Sequence, residues 1–263
     1  MALITLLSLF GCGKSRDERA ADRIVEALQE KYGEEFVLDG IGGSWGTMNP
    51  NTLKAIARPK ADPTLKVPVE ITKDLKQIYD QYLNQRVARS EEPKIQELAR
   101  KHWPDARIVN VNDTRLAYPE SSDTSMTYPE FLKQNPSNTL LVKVYLDASG
   151  YVDPKGNMDQ EAEIAKYLAF AEELAASGYV SSRISWVYLT PDAFSRLEEA
   201  KQSASSVDAF FNEEEEETGV PRMITRVGCE IDASGRVKQT KAELQAYLDQ
   251  WREKRLESLH HWR

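Results

Sequence analysis

The chain has 263 residues and a formal net charge of −8, with a pI near 5.2. Binding a nucleic-acid backbone needs clustered Lys and Arg, so this balance excludes nucleic acid as the main partner and leaves no polybasic surface for anionic lipid. At 41% hydrophobic and 29% charged, the chain can bury a core under a hydrated surface, and its length allows one large domain or two small ones.

The first element is Ala2 to Phe10, ALITLLSLF, a run without a charge. As a helix it would be about 14 Å long, less than half of a ~30 Å hydrocarbon core, so it is too short to cross a membrane. It has the length of the apolar part of a signal peptide. It ends in Leu9-Phe10-Gly11-Cys12. Here the sequence resembles the bacterial lipoprotein signal, whose lipobox is Leu, a small or branched residue, Gly or Ala, then Cys. Leu9, Gly11 and Cys12 match, and Phe10 departs at a tolerant position. The resemblance implies a diacylglyceryl thioether on Cys12, cleavage after Gly11, and attachment to lipid at the extracytoplasmic face of the cell membrane. Such a signal opens with Lys or Arg, which Met1-Ala2 lacks, so translation is expected to start upstream. Each buried CH₂ contributes about 0.8 kcal/mol; one acyl chain holds marginally, and two or three hold firmly without basic residues.

The same stretch has a second reading. Gly13-Lys14-Ser15 imitates the end of a phosphate-binding loop, G-x-x-x-x-G-K-[ST]. Ser8 stands where the first glycine belongs, and the best magnesium-binding strand, LVKVYLD ending at Asp147, is interrupted by Lys143. A cytoplasmic nucleotide binder is therefore the weaker alternative.

Residues 1–11 thus read as signal peptide and 12–19 as a lipidated polar tether. A helix follows, with Ala20, Ile24, Ala27, Leu28 and Tyr32 on one face and Gly33 as its stop. EEFVLDGIGG, with a bulge, TLKAIARPK and LKVPVEITK are strands, and Pro68 marks the last as an edge. Between the first two, GIGGSWGTM presents Ser44 and Trp45 on a glycine-rich hairpin loop, a candidate ligand or partner contact. It is no dinucleotide loop, because a strand follows it. The string KYGEEFVLDGIGGSWGT resembles uncharacterised lipoproteins of Gram-positive bacteria, which implies no activity. A long helical segment is predicted from Lys73 to Lys101, with Leu75, Ile78, Tyr79, Tyr82 and Leu83 on its apolar face and a restart at Pro93. ARIVNVND closes an α+β unit over 20–112.

Residues 113–139, rich in Ser, Thr, Pro and Asn, read as a linker with one helical turn in TYPEFLKQ. In 140–263, LLVKVYLD, RISWVYLT and MITRVGCEID alternate with helices, which predicts βαβ units. Thr190-Pro191 and the Thr240/Glu243 pair are helix starts. LDASGYV and IDASGRV echo each other as Asp-Gly turns. The fold class expected is α+β: an N-terminal helix with a small antiparallel sheet, then a C-terminal unit of alternating strands and helices.

No G-x-S-x-G, H-E-x-x-H or Cys/His metal spacing occurs. The sequence therefore predicts no catalytic residue, no metal ligand and no cofactor. His102 reads as a helix-end residue, His260 and His261 as a terminal pair, and Cys229 as a buried strand residue. Glu213 to Glu217 reads as a solvated acidic run, with weak binding of calcium as the sharper option. The function expected is a non-catalytic binding or scaffolding module with an envelope-protein or cell-wall partner. The alternative is a cell-envelope hydrolase with acidic catalytic residues, recognisable by a pocket lined by two carboxylates.

Overall fold

The computed structural model describes residues 14–42, 51–114, 116–153, 155–203 and 205–259. The fold is α+β and divides into two compact units. The first takes in the described residues up to Asp62, with Lys66–Asp80 and Tyr118–Ser121; the second holds Pro63–Leu65, Gln81–Ala117 and the chain from Ser122 onward.

The first unit is helix α1 (Arg16–Tyr32) on an antiparallel sheet of β1 (Phe36–Gly42), β2 (Thr52–Pro59), β3 (Val67–Thr72) and β4 (Ile78–Asp80), in that order. Ser15 starts the helix with a capping box shared with Glu18, and Gly33 ends it in the left-handed region at φ 68. Ala20, Ile24 and Leu28 recur every fourth residue and are fully buried, the stripe that faces a sheet. The expected bulge falls between Leu38 and Gly40. β3 is not the edge strand expected, since it lies between β2 and β4; Pro68 pairs with Ile56 on β2 but lies outside Val69–Ile71, the stretch that β4 covers. Asp80 is fully buried and accepts from Lys31 Nζ at 2.6 Å and from the Tyr32 hydroxyl at 2.8 Å.

The helix expected from Lys73 does not form. Thr72 Oγ1 accepts from the Gln77 backbone N–H, Asp74 accepts from the Lys76 N–H, and Leu75 takes a φ of 61. These side chains compete with the helical ladder for backbone donors. Ile78 and Tyr79 become strand β4 against Ile71 and Glu70. Helix begins only at α2 (Tyr82–Ser90) and resumes at α3 (Glu92–Arg100), where Pro93 sits in the first turn.

The second unit is a sheet of β5 (Arg107–Asp113), β6 (Thr139–Asp147), β7 (Ser182–Leu189) and β8 (Met223–Ile231), in chain order. Its later helices are α4 (Tyr128–Gln134), α5 (Gln160–Ala176), α6 (Pro191–Ser195), α7 (Leu197–Gln202), α8 (Val207–Thr218), α9 (Lys241–Gln250) and α10 (Arg252–Ser258). Residues 82–112, expected in the first unit, belong here: β5 pairs with β6 along its whole length, and α2 and α3 pack on β5. The stretch read as a linker contains α4, which buries Tyr128 and Phe131. Among the described residues only β6–α5–β7 is a βαβ unit; β5 and β8 run antiparallel to their neighbours. Since β6 and β8 run oppositely, the two echoed turns, at Asp147 and Asp232, lie at opposite ends of the sheet. Each Asp carboxylate accepts from the N–H and hydroxyl of the Ser two residues on, which is turn chemistry.

Alternate residues divide the sheet into two faces. Val142, Val144, Ile184, Trp186 and Val227 are buried on one, which α2, α3, α5, α9 and α10 cover. On the other, Tyr145, Val187, Leu189 and Met223 form a cluster with Phe194, Leu197 and Phe211 of α6 to α8. Farther along that face, Lys143, Arg183, Ser185, Arg226, Gly228 and Glu230 keep access to solvent.

Candidate functional site

Three polar constellations stand out in the second unit. The first is internal. Glu163 of α5, 4% exposed, accepts from Trp103 Nε1 at 2.9 Å, the Tyr188 hydroxyl at 2.6 Å and Lys166 Nζ at 2.6 Å. Tyr167 and Tyr188 share a further hydrogen bond at 2.6 Å. Burial above all holds both phenols far above their usual range, and the nearby Glu163 carboxylate adds to it. Glu163, Trp103, Tyr167 and Tyr188 are enclosed and only Lys166 reaches solvent, so the network fastens α5 to β7 and to Trp103.

The second is a cleft of about 400 Å³ along α3. Glu91, at the start of α3, is buried and receives the Tyr179 hydroxyl at 2.6 Å and Lys94 Nζ at 3.0 Å. Tyr128 packs its ring 5.5 Å from that of Tyr179. The Tyr128 hydroxyl has no hydrogen-bond partner among the described residues. Glu97, Leu98, Lys101, Pro129, Ser177 and Gly178 complete the walls. Lys101 and His102 both turn to Glu173, at 3.3 and 3.2 Å. Two carboxylates thus line one cleft, but two donors tie Glu91 as an acceptor.

The third is a recess of about 410 Å³ on the solvent-accessible part of the sheet. Register builds it in three rows: Tyr145–Val187–Arg226, Lys143–Ser185–Gly228 and Leu141–Arg183–Glu230. Ser185 and Gly228 make a low floor, and the charged side chains stand around it. Asp208 of α8 accepts from Lys143 Nζ at 2.7 Å and from the Tyr145 hydroxyl at 2.7 Å, with Arg226 at 3.5 Å. Burial pushes the Asp208 carboxyl upward, but Lys143, Tyr145 and Arg226 together outweigh it and hold the group below its usual range. Glu230 pairs with Lys238 at 2.8 Å and Arg183 at 3.1 Å, and the Lys238 hydrogen bond leads in lowering its carboxyl.

Cys12, Ser44, Trp45, His260 and His261 lie outside the described residues. Lys14 pairs with Asp22, and Ser15 serves as the cap of α1. Cys229 is 3% exposed, and burial pushes its thiol up to about 12, the inert core residue expected. The acidic run is only partly solvated. Glu214 takes Arg196 at 2.7 Å and Arg222 at 2.8 Å, and Glu215 takes Lys254 at 2.6 Å. Carboxylates in the last turn of α8 oppose its dipole, and these cations offset that cost. Among the described residues no three His, Cys, Asp or Glu side chains gather to hold a metal ion. Glu91, Tyr179, Lys143 and Asp208 were missed by sequence reasoning, because their pairings span 88 and 65 residues. The one local signal was Gly228 inside a strand.

No protein-family model matches the chain, and no curated protein matches it. Among solved structures it is similar to the crystal structure of a DUF5037 family protein from Ruminococcus gnavus. The two share 20% identity and a TM-score of 0.58, over 87% of this chain and 98% of that one. The likeness is one of fold.

Proposed function

We propose that the protein is a lipid-anchored binding module on the extracytoplasmic face of a bacterial cell membrane. The observation that carries this reading is the uncharged run ending in Leu9-Phe10-Gly11-Cys12. Acylated Cys12 supplies the membrane contact, and the folded units face away from the cytosol toward an envelope-protein or cell-wall partner. No helix among the described residues is long and apolar enough to cross a membrane. The polar recesses of the second unit supply places for a ligand.

The test compares wild type with Cys12→Ala, expressed from the native upstream start. Wild type sediments with membranes and resists extraction by high salt, whereas the variant is released. A variant that stays with the membrane overturns the reading.

One observation favours a hydrolase: Glu91 and Glu97 line the same cleft. On that reading Glu97→Gln abolishes turnover of a cell-wall glycan; equal turnover by the variant removes it.

A further inference from the structure

We propose that the recess over Ser185 and Gly228 binds the oxyanion of a small ligand, a carboxylate or a phosphate. The proposal names a ligand class for the binding role above, on which it rests, but it does not depend on the lipid.

Charge is the first argument. The chain as a whole is acidic, at −8, yet the recess is lined by Lys143, Arg183 and Arg226 against one carboxylate, Glu230. The carboxylates around it are shared. Asp208 serves both Lys143 and Arg226; Glu230 serves both Arg183 and Lys238. Asp113 reaches Arg183 only at 3.9 Å. Four cations therefore face three carboxylates. A guanidinium carries five N–H donors. Arg226 directs Nε to Ser185 and Nη1 to Asp208, and Arg183 directs Nε to Glu230 and Nη1 to Asp113. Among the described residues neither Nη2 is engaged, and both side chains are about half exposed, at 45% and 55%. Planar donors of this kind match carboxylate and phosphate oxygens.

Gly228 is the second argument. Its φ is not positive, so its backbone does not demand glycine. A Cβ there would meet only the Ile184 carbonyl oxygen, at an ordinary 3.8 Å, so packing does not demand it either. Glycine inside a strand weakens the strand relative to alanine and often marks a close approach by a ligand. Arg226 and Glu230 stand two residues to either side of Gly228, roughly 7 Å along the strand. Ser185, directly opposite on β7, keeps the floor low. An anion seated there lies between Arg226 and Arg183, beside Lys143. A cation would meet the surplus positive charge, and a large apolar group would strip water from these ions.

The experiment titrates the full chain with inorganic phosphate and, separately, acetate, at constant ionic strength in chloride. Amide and guanidinium NMR shifts of Gly228, Arg183 and Arg226 report binding. The two arms separate a phosphoryl ligand from a carboxylate. Gly228→Val should melt at or above the wild-type temperature and bind at least about tenfold more weakly, the loss of roughly one charge-assisted contact. Arg183→Gln with Arg226→Gln should lose binding as well. Lys94→Gln, in the α3 cleft, should bind as wild type does. Failure of both anions to shift these signals, or equal binding by Gly228→Val, overturns the proposal. So does a clearly lower melting temperature for Gly228→Val, which would make the glycine structural. Membrane attachment is read separately through Cys12→Ala, so loss of one reading is distinct from loss of the other.

Discussion

Burial, with Arg58 close by, pushes the Lys66 ammonium down to about 8. An unfolded lysine titrates near 10.4, so between these values the unfolded chain holds more protons than the native one. Stability from this residue therefore rises with pH across the window from about 8 to 10. Below 8 both states are charged and the cost of burying the cation is fully present. Tyr145, Tyr167 and Tyr188 act with the opposite sign, because burial raises all three phenols. Above about pH 10 the unfolded chain releases those protons and the native chain does not, so stability falls. Thermal melts of wild type and Lys66→Met at pH 7.5, 8.5 and 9.5 check the first statement. Wild type should gain on the variant as pH rises; a constant gap between the two contradicts the assignment. Asp80 makes a simpler case. Removing its charge by Asp80→Asn leaves Lys31 in a nearly closed site without its counter-ion, at a cost of about 3 kcal/mol. Denaturant melts measure it, and a loss under about 1 kcal/mol would mean that Lys31 finds another partner.

At the scale of elements, the ends were more legible than the partners. Thr190-Pro191, Thr240 with Glu243, and Gly33 announced their helix termini because capping is chemistry among neighbours in sequence. The stretch from Lys73 misled for a related reason. Its apolar spacing suits a helix, but Thr72 and Asp74 draw the backbone donors into a turn, and β3 then recruits Ile78 and Tyr79. β5 was recognised as a strand, but an alternating pattern does not say which sheet it joins. Glu163 shows what contact adds to pattern. Its helix was predicted, but that it gathers Trp103 and Tyr188 was not, since they come from other elements. Replacing it by Leu should cost about 3 kcal/mol by leaving two buried donors unpaired, whereas Glu163→Gln should cost less. Chemical denaturation separates the two; equal losses would show that packing, not hydrogen bonding, is what the residue supplies.

For the whole molecule, the α+β class was readable from periodicity, while the boundary between units was not. Composition suggested a break at 113–139, where Ser and Pro accumulate, but Tyr128, Phe131, Asn135 and Asn138 of that stretch are buried. The recess on the sheet was invisible because three strands and a distant helix supply it. Only Gly228 hinted at it, through a local choice that the fold itself does not need. The proposed anchor is the reverse case: the signal it rests on is four consecutive residues, Leu9 to Cys12, and needs no tertiary contact. The most direct test of the account is the intact mass of the mature protein purified from membranes of a bacterium expressing the gene from its authentic start. The account predicts a chain that begins at Cys12 and carries a diacylglyceryl group on that sulfur. A chain that retains Leu9-Phe10-Gly11 ahead of an unmodified Cys12 contradicts it.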